Sequence, residues 1–245
     1  MPPDAVTAHL PEGELLYAVG DIHGRSDLLG KLLRHIETDA AQQDAAKKKS
    51  LIFVGDYVDR GPDSRGVIET LLHSLPEDFS VHFLKGNHEG LLLEFLEDPR
   101  KLNHWRLNGG EATMASYGVD VVGLTTAGAP PEVWREAFMG KLPPAHFDFF
   151  RHLSITVPRG DYLFVHAGVR PGVPLHAQED LDLMWIRDEF LDAIEPFGKV
   201  VVHGHTPVPE PVVRSNRIGI DTGAVFSGRL TALRLQDGER SFLQT

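Results

Sequence analysis

The chain alternates between short apolar runs that stop at glycine or a polar residue and longer segments whose apolar positions recur every three or four residues. The short runs are Leu15 to Val19, Leu51 to Val54, Val81 to Leu84, Tyr162 to Val165 and Val200 to Val202. Bounded by turn signals and containing β-branched or aromatic residues, they read as buried strands. Helical patterns lie between the first of them. Leu28, Leu29, Leu32, Leu33 and Ile36 share one helix face. Val67, Ile68, Leu71, Leu72 and Leu75 share another, with Asp63 or Ser64 as its start and Pro76 as its stop. A shorter helix over Leu91–Leu96 ends at Asp98-Pro99. Strands alternating with helices predict parallel pairing through right-handed crossovers. Residues 40–50, rich in Ala, Gln and Lys, read as a solvated helix end or loop.

The pattern changes over residues 101–153. Trp105, Trp134, Phe138, Phe147, Phe149 and Phe150 recur at mostly helical spacing, punctuated by Gly109-Gly110 and Pro143-Pro144. This predicts a small helical lobe inserted in one domain spanning 1–245, with its aromatics as core. Beyond residue 154 the runs shorten and alternate as in hairpins, at Val212-Val213, Ile218 to Ile220 and Leu230 to Leu235. Residues 1–14 read as a short tail.

The length, 245 residues, suffices for a core without staples. Hydrophobic residues at 42% and charged residues at 24% exclude disordered and fibrous classes. Cysteine is absent, which excludes disulfide scaffolds, thiol catalysis and thiolate zinc sites. A net charge of −11 argues against a nucleic-acid binder, which needs a basic stripe. No apolar run reaches the ~18 residues of a spanning helix. The start, with early acid and no basic-then-apolar pattern, shows no signal peptide, so the expected location is the cytoplasm, away from membranes.

The candidate chemistry sits where the strands end. Those ends offer Asp21, His23, Asp56, Asn87, His166 and either His203 or His205. Oxygen and imidazole donors without a thiol suit Mn, Fe or Zn. Six donors exceed one tetrahedral zinc and fit two ions about 3.5–4 Å apart sharing a carboxylate. Any one of these residues alone reads as readily as a turn or a core histidine; five strand ends together do not. Of the remaining histidines, His9, His35, His73, His82, His104, His146, His152 and His176 are read as structural.

Nearby polar residues fit phosphoryl transfer. Arg60 follows Asp56 by four residues, and its planar fork suits phosphate. His88, next to Asn87, faces adjoining space as a proton donor, with Asp59 as its orienting carboxylate. Arg187 reads either as a second phosphate ligand or as a surface ion-pair partner. Gly24 to Lys31 imitates a phosphate-binding loop but has the wrong spacing and Leu32 at the hydroxyl position. His88-Glu89 lacks the second histidine of a zincin, and no G-x-S-x-G elbow is present.

Asp21-Ile22-His23-Gly24, Gly55-Asp56-Tyr57-Val58-Asp59-Arg60-Gly61 and Gly86-Asn87-His88-Glu89 resemble, in order and spacing, the signature blocks of the phosphoprotein phosphatase (PPP) family of metallophosphoesterases. Phe164 to Gly168 and Gly204 to Pro207 resemble its two later metal-binding blocks. Trp105 with Asn108-Gly109-Gly110, and Ile220 to Ala224, fit the compact bacterial and phage, lambda phosphatase-like branch. Ala167 replaces the first glycine of the Gly-Gly pair found in many eukaryotic members.

The resemblance implies a layered α/β (α+β) fold, a four-layer α/β/β/α sandwich. It implies Asp21, His23 and Asp56 on a first metal and Asp56, Asn87, His166 and His205 on a second, with His203 behind them. It further implies Arg60 and Arg187 on phosphate and His88, supported by Asp59, as general acid. The implied cofactors are two divalent ions, Mn2+ first and Fe or Zn as substitutes. The expected activity is a metal-dependent phosphomonoesterase acting on phosphoserine or phosphothreonine, with phosphotyrosine as an extension, in a phosphoprotein or phosphopeptide. The alternative is a symmetrical bis(5'-nucleosyl)-tetraphosphate hydrolase, with Trp105 or Trp134 stacking a base. A non-catalytic phosphate-binding module ranks last, because every matching position is filled.

Overall fold

The computed structural model describes residues 8–245. The expected tail over 1–14 thus falls partly outside the described residues. Within them, Ala8 and Leu10 are buried, and the Tyr162 hydroxyl donates to the Ala8 carbonyl.

The first half runs β1 (Glu14–Val19), α1 (Ser26–Ala40), β2 (Lys48–Phe53), α2 (Ser64–His73), β3 (Phe79–Phe83) and α3 (Asn87–Glu97). β1, β2 and β3 pair in parallel, as the alternation predicts. Asp63 caps α2, its carboxylate accepting from the Gly66 N–H. Two boundaries differ from expectation. β2 begins at Lys48, because Lys48 and Lys49 pair with Glu14 and Leu15 and reach solvent at the sheet's end. α3 begins at Asn87 rather than Leu91, because the Glu89 side chain folds back to accept from the Gly86 N–H.

A helical segment follows: α4 (Leu102–Leu107), α5 (Gly110–Ser116), α6 (Val121–Thr126), α7 (Pro131–Met139) and α8 (Pro144–Arg151). Its aromatics pack into the core outside the first sheet, Trp105 contacting Phe95 and Phe138 at ring separations of 5.1 and 5.5 Å.

The second half comprises β4 (Thr156–Arg159), β5 (Tyr162–Val165), α9 (Asp180–Trp185), α10 (Asp188–Leu191), β6 (Val200–His203), β7 (Val212–Val213), β8 (Arg217–Gly219), α11 (Ala224–Ser227), β9 (Thr231–Gln236) and β10 (Glu239–Gln244). The hairpins expected here are β4–β5, β7–β8 and β9–β10, but β5, β6 and β8 are parallel to one another. The sheets have the orders β10-β9-β1-β2-β3 and β4-β5-β6-β8-β7.

Alternation along the strands assigns the layers. Leu15, Tyr17 and Val19 face the helices α1–α3, whereas Leu16 and Ala18 face the second sheet. Tyr162 and Phe164 meet them from β5, while Leu163 and Val165 face Leu183, Ile186 and Phe190 around α9 and α10. Three cores between four layers make the α/β/β/α sandwich. No helix among the described residues is long and apolar enough to cross a membrane.

Candidate active site

The ends of β1, β2 and β3 in one sheet and of β5 and β6 in the other converge on one edge of the sandwich. Carboxyl ends of parallel strands are where open sheets place their ligands. The loops there are strained. Among the described residues, six non-glycines have positive φ, and five belong to this edge: His23, Asp56, Asp59, Arg60 and His205. Such conformations persist only where surrounding contacts impose them. Gly55, at φ 108°, is one place where no side chain fits, since a Cβ would meet the Gly86 backbone at 2.6 Å.

Hydrogen bonds lock the loops to one another. The Asp56 carbonyl accepts from the Ile22 and His23 N–H groups, and the Tyr57 carbonyl from Gly24. The buried Glu89 carboxylate accepts from the backbone N–H of Asp56, Tyr57 and Gly86 at 2.8–3.0 Å and of Val58 at 3.3 Å. Burial, then the neighbouring Asp56 carboxylate, raises its pKa to about 7.

Asp56 is the hub. Its Oδ2 lies 3.5 Å from His23 Nε2 and 3.4 Å from His166 Nε2, and its Oδ1 accepts from the His88 N–H at the start of α3. It belongs to two clusters of metal-compatible donors, one with His23 and His88, the other with His166 and His205. Asn87 Oδ1 lies 3.0 Å from both His166 Nε2 and His205 Nδ1. His23 Nδ1 donates to the Val58 carbonyl and His166 Nδ1 to that of Val54, so each Nε2 presents a lone pair to the cluster. Asp21 joins through the His205 N–H, which donates to its Oδ2, while its Oδ1 is buried without a partner. Gly204 is needed here, because a Cβ would collide with that oxygen. His203 points elsewhere, packing edge-on against Phe190.

The electrostatics suit divalent cations. Burial, then Asp221 and Asp56, pushes the Asp21 carboxyl well above its usual range. Burial acts in the same direction on Asp56, but His166, His88 and His23 hold it well below. Burial lowers His23 to about 3 and His205 to about 2, leaving neutral rings able to ligate. Lone pairs this crowded, beside an orphaned buried carboxylate oxygen, need shared positive charge.

A conserved-domain model described as calcineurin-like phosphoesterase matches residues 15–228. The chain belongs to the calcineurin-like phosphoesterase family. It is thus a metal-dependent phosphoesterase, and members of this family use divalent ions. It is similar to serine/threonine-protein phosphatase 1 of Salmonella typhimurium, 30% identical over 226 residues covering 90% of this chain and 92% of that protein. It is also similar to the bis(5'-nucleosyl)-tetraphosphatase PrpE [asymmetrical] of Anoxybacillus flavithermus, 28% identical over 241 residues covering 90% of each. A solved protein serine/threonine phosphatase from Saccharomyces cerevisiae shares the fold, with a TM-score of 0.57, 15% identity and coverage of 96% of this chain and 80% of that one.

In this calcineurin-like phosphoesterase the remaining candidates flank the cluster. His88 is fully buried, and its Nδ1 donates to Asp59 Oδ2 at 2.7 Å. Burial opposes the charged ring, but Asp56 and Asp59 raise its pKa. The Arg60 guanidinium is exposed, yet it donates to His23 Nε2 and His88 Nε2, both at 2.9 Å, rather than facing open space. Arg187 is exposed between α9 and α10 and donates to Thr206 Oγ1 at 3.2 Å, one residue past His205. Trp185 is half-buried, 6.1 Å from the His205 ring and near-parallel to His104 at 6.2 Å.

Four residues carry weight that the sequence did not assign them. Glu89 stood inside a signature block, and its place three residues after Gly86 was an available signal. Trp105, read as core, also donates through Nε1 to Asp59 at 2.9 Å, and Thr113 donates to the same carboxylate at 2.6 Å. Nothing in the sequence singled out Thr113. Asp221, buried near Asp21, lay in the Ile220 to Ala224 block, which served only to place the branch and gave Asp221 no role.

Proposed function

We propose that the chain is a serine/threonine protein phosphatase, with phosphotyrosine as a further substrate, and that Asp21, His23, Asp56, Asn87, His166 and His205 hold two divalent ions. The observation that carries the two-ion reading is Asp56, whose one carboxylate serves both donor clusters. Mn2+ is the proposed metal, with Fe or Zn as substitutes on the same oxygen and imidazole donors, and the cytoplasm the proposed location. Bound there, the ions supply the Lewis acidity that turns water into a nucleophile at neutral pH.

The protein's own groups do the rest. Arg60 turns from two ring nitrogens to phosphate oxygens, exchanging neutral acceptors for charge-assisted bonds. Arg187, exposed and bonded to Thr206 beside His205, adds a second guanidinium for the phosphate. Once Arg60 turns away, His88 Nε2 takes up a proton from solvent. As the imidazolium that Asp56 and Asp59 favour, with Nδ1–H held by Asp59, His88 then delivers that Nε2 proton to the departing serine or threonine oxygen. Solvent-labelled oxygen is then expected in phosphate after a single turnover, with no trapped phosphoenzyme; a covalent phosphohistidine contradicts this.

Burial of Trp105 and Trp134, at 0% and 1% exposure, removes the lobe's base-stacking candidates and supports the phosphoprotein reading over the dinucleotide one. The second reading is kept by the half-buried Trp185 beside His104, a flat surface near the cluster. Its symmetrical form rests on the motifs alone, as the PrpE relative is named asymmetrical. Parallel rates on a phosphothreonine peptide and on diadenosine tetraphosphate decide. The peptide is expected to be faster; a faster dinucleotide overturns the proposal.

A further inference from the structure

Arg170 lies outside the donor cluster, four residues past His166, and none of the roles above involves it. Its guanidinium makes three bonds of 2.6 Å: Nε and Nη2 to the two oxygens of Asp182, and Nη1 to Glu189 Oε2. Asp182 lies in α9 and Glu189 in α10, so the two acids bracket the stretch carrying Trp185 and Arg187. Arg170 is itself fastened at the backbone, where its N–H donates to Gln178 Oε1 and its carbonyl accepts from Gln178 Nε2.

The bracketed stretch needs such a fastening. Arg187 heads α10, where its carbonyl accepts from the Phe190 and Leu191 N–H groups, and its side chain bonds Thr206 Oγ1. Its neighbours Leu183, Ile186 and Phe190 bury apolar surface, which holds the segment down without fixing its rotation. Arg170, Asp182, Trp185, Arg187 and Glu189 line one cavity of about 420 Å³. A guanidinium bound at both ends of the segment sets the direction in which Arg187 enters that space.

We propose that Arg170 is a positioning residue, clamping Asp182 and Glu189 so that Arg187 meets the substrate phosphate in a fixed orientation. The clamp also neutralises two carboxylates that would repel an incoming phosphate dianion. This rests on the reading of Arg187 as a phosphate ligand. All three partners are at least partly exposed, and exposed ion pairs add little stability. The role therefore shows in binding rather than in melting temperature. Lysine keeps the charge but lacks the fork, so it cannot hold both acids in one plane.

The test is a double-mutant cycle on the metal-loaded full chain, reading p-nitrophenyl phosphate kinetics and competitive inhibition by inorganic phosphate. Arg170→Ala is expected to raise KM and the phosphate inhibition constant about tenfold, with kcat within about twofold. Metal content and melting temperature stay near wild type, and Arg170→Lys recovers only a small part of the loss. In an Arg187→Ala background, Arg170→Ala adds less than about twofold. A full tenfold loss in that background overturns the clamp, because Arg170 then acts independently of Arg187. Loss of metal or a collapse of kcat overturns it as well, in favour of a structural role. If Arg187→Ala alone moves neither KM nor phosphate inhibition, it is the phosphate role of Arg187 that fails first, and the clamp falls with it.

Discussion

His88 and Arg187 stand beside the same donor cluster and are held in opposite ways. His88 is fully buried at the first turn of α3, bonded to an Asp59 that is itself bonded by Trp105 and Thr113. Arg187 is exposed, bonded to Thr206, and carried by a segment fastened through surface ion pairs. A group that moves a proton needs one tautomer and one distance, which burial and a fixed hydrogen bond provide. A group that grips an incoming phosphate needs solvent access, so its orientation is set by fastening its segment rather than by burying its side chain. On the roles proposed for His88 and Arg187, chemistry falls to the buried side and recognition to the open side.

The broadest way to break that comparison is to remove what both sides share. Asp56→Asn is expected to abolish turnover, by on the order of 10⁴-fold, and to lower bound metal, as measured by elemental analysis. On the buried side alone, His88→Asn is expected to cut kcat by roughly 10²–10⁴-fold with metal content unchanged. Metal loss in that variant would make His88 a ligand, consistent with its cluster with His23 and Asp56. One step further out, Trp105→Phe keeps the ring but removes the donor to Asp59, and a fall in kcat of about tenfold with KM unchanged is expected. The smallest change belongs to the open side: Arg187→Lys is expected to raise KM a few-fold, about threefold, and leave kcat alone. If Trp105→Phe moved KM and Arg187→Lys moved kcat, the division of labour would be reversed.

Much of this was legible beforehand, and the reason is period. Strand ends marked by glycine next to Asp, Asn or His pointed to residues that the fold brings together at one edge, and the alternation of strand and helix gave the parallel first sheet. The order of the second sheet was not legible, because β6 and β8 are too short for a period of two to separate a parallel neighbour from a hairpin. The start of α3 was misplaced because Asn87 and His88 are polar, and a polar first turn carries no apolar stripe. The double role of Trp105 was hidden for another reason. A tryptophan at helical spacing reads as core, which it is, and only coordinates reveal where its single N–H points. Nor could spacing show that Arg60 bonds the very ring nitrogens for which metal-binding and proton-donating roles are proposed.

The central claim is that one carboxylate, Asp56, joins two cation sites. It is tested most directly by counting metal per chain in the purified protein, before and after Asp56→Asn, with turnover of p-nitrophenyl phosphate followed in parallel. Two ions per wild-type chain, activity lost on chelation and restored by manganese, and fewer ions in the variant are the expected results. Full activity after exhaustive chelation, or two ions retained in an active Asp56→Asn variant, would contradict it.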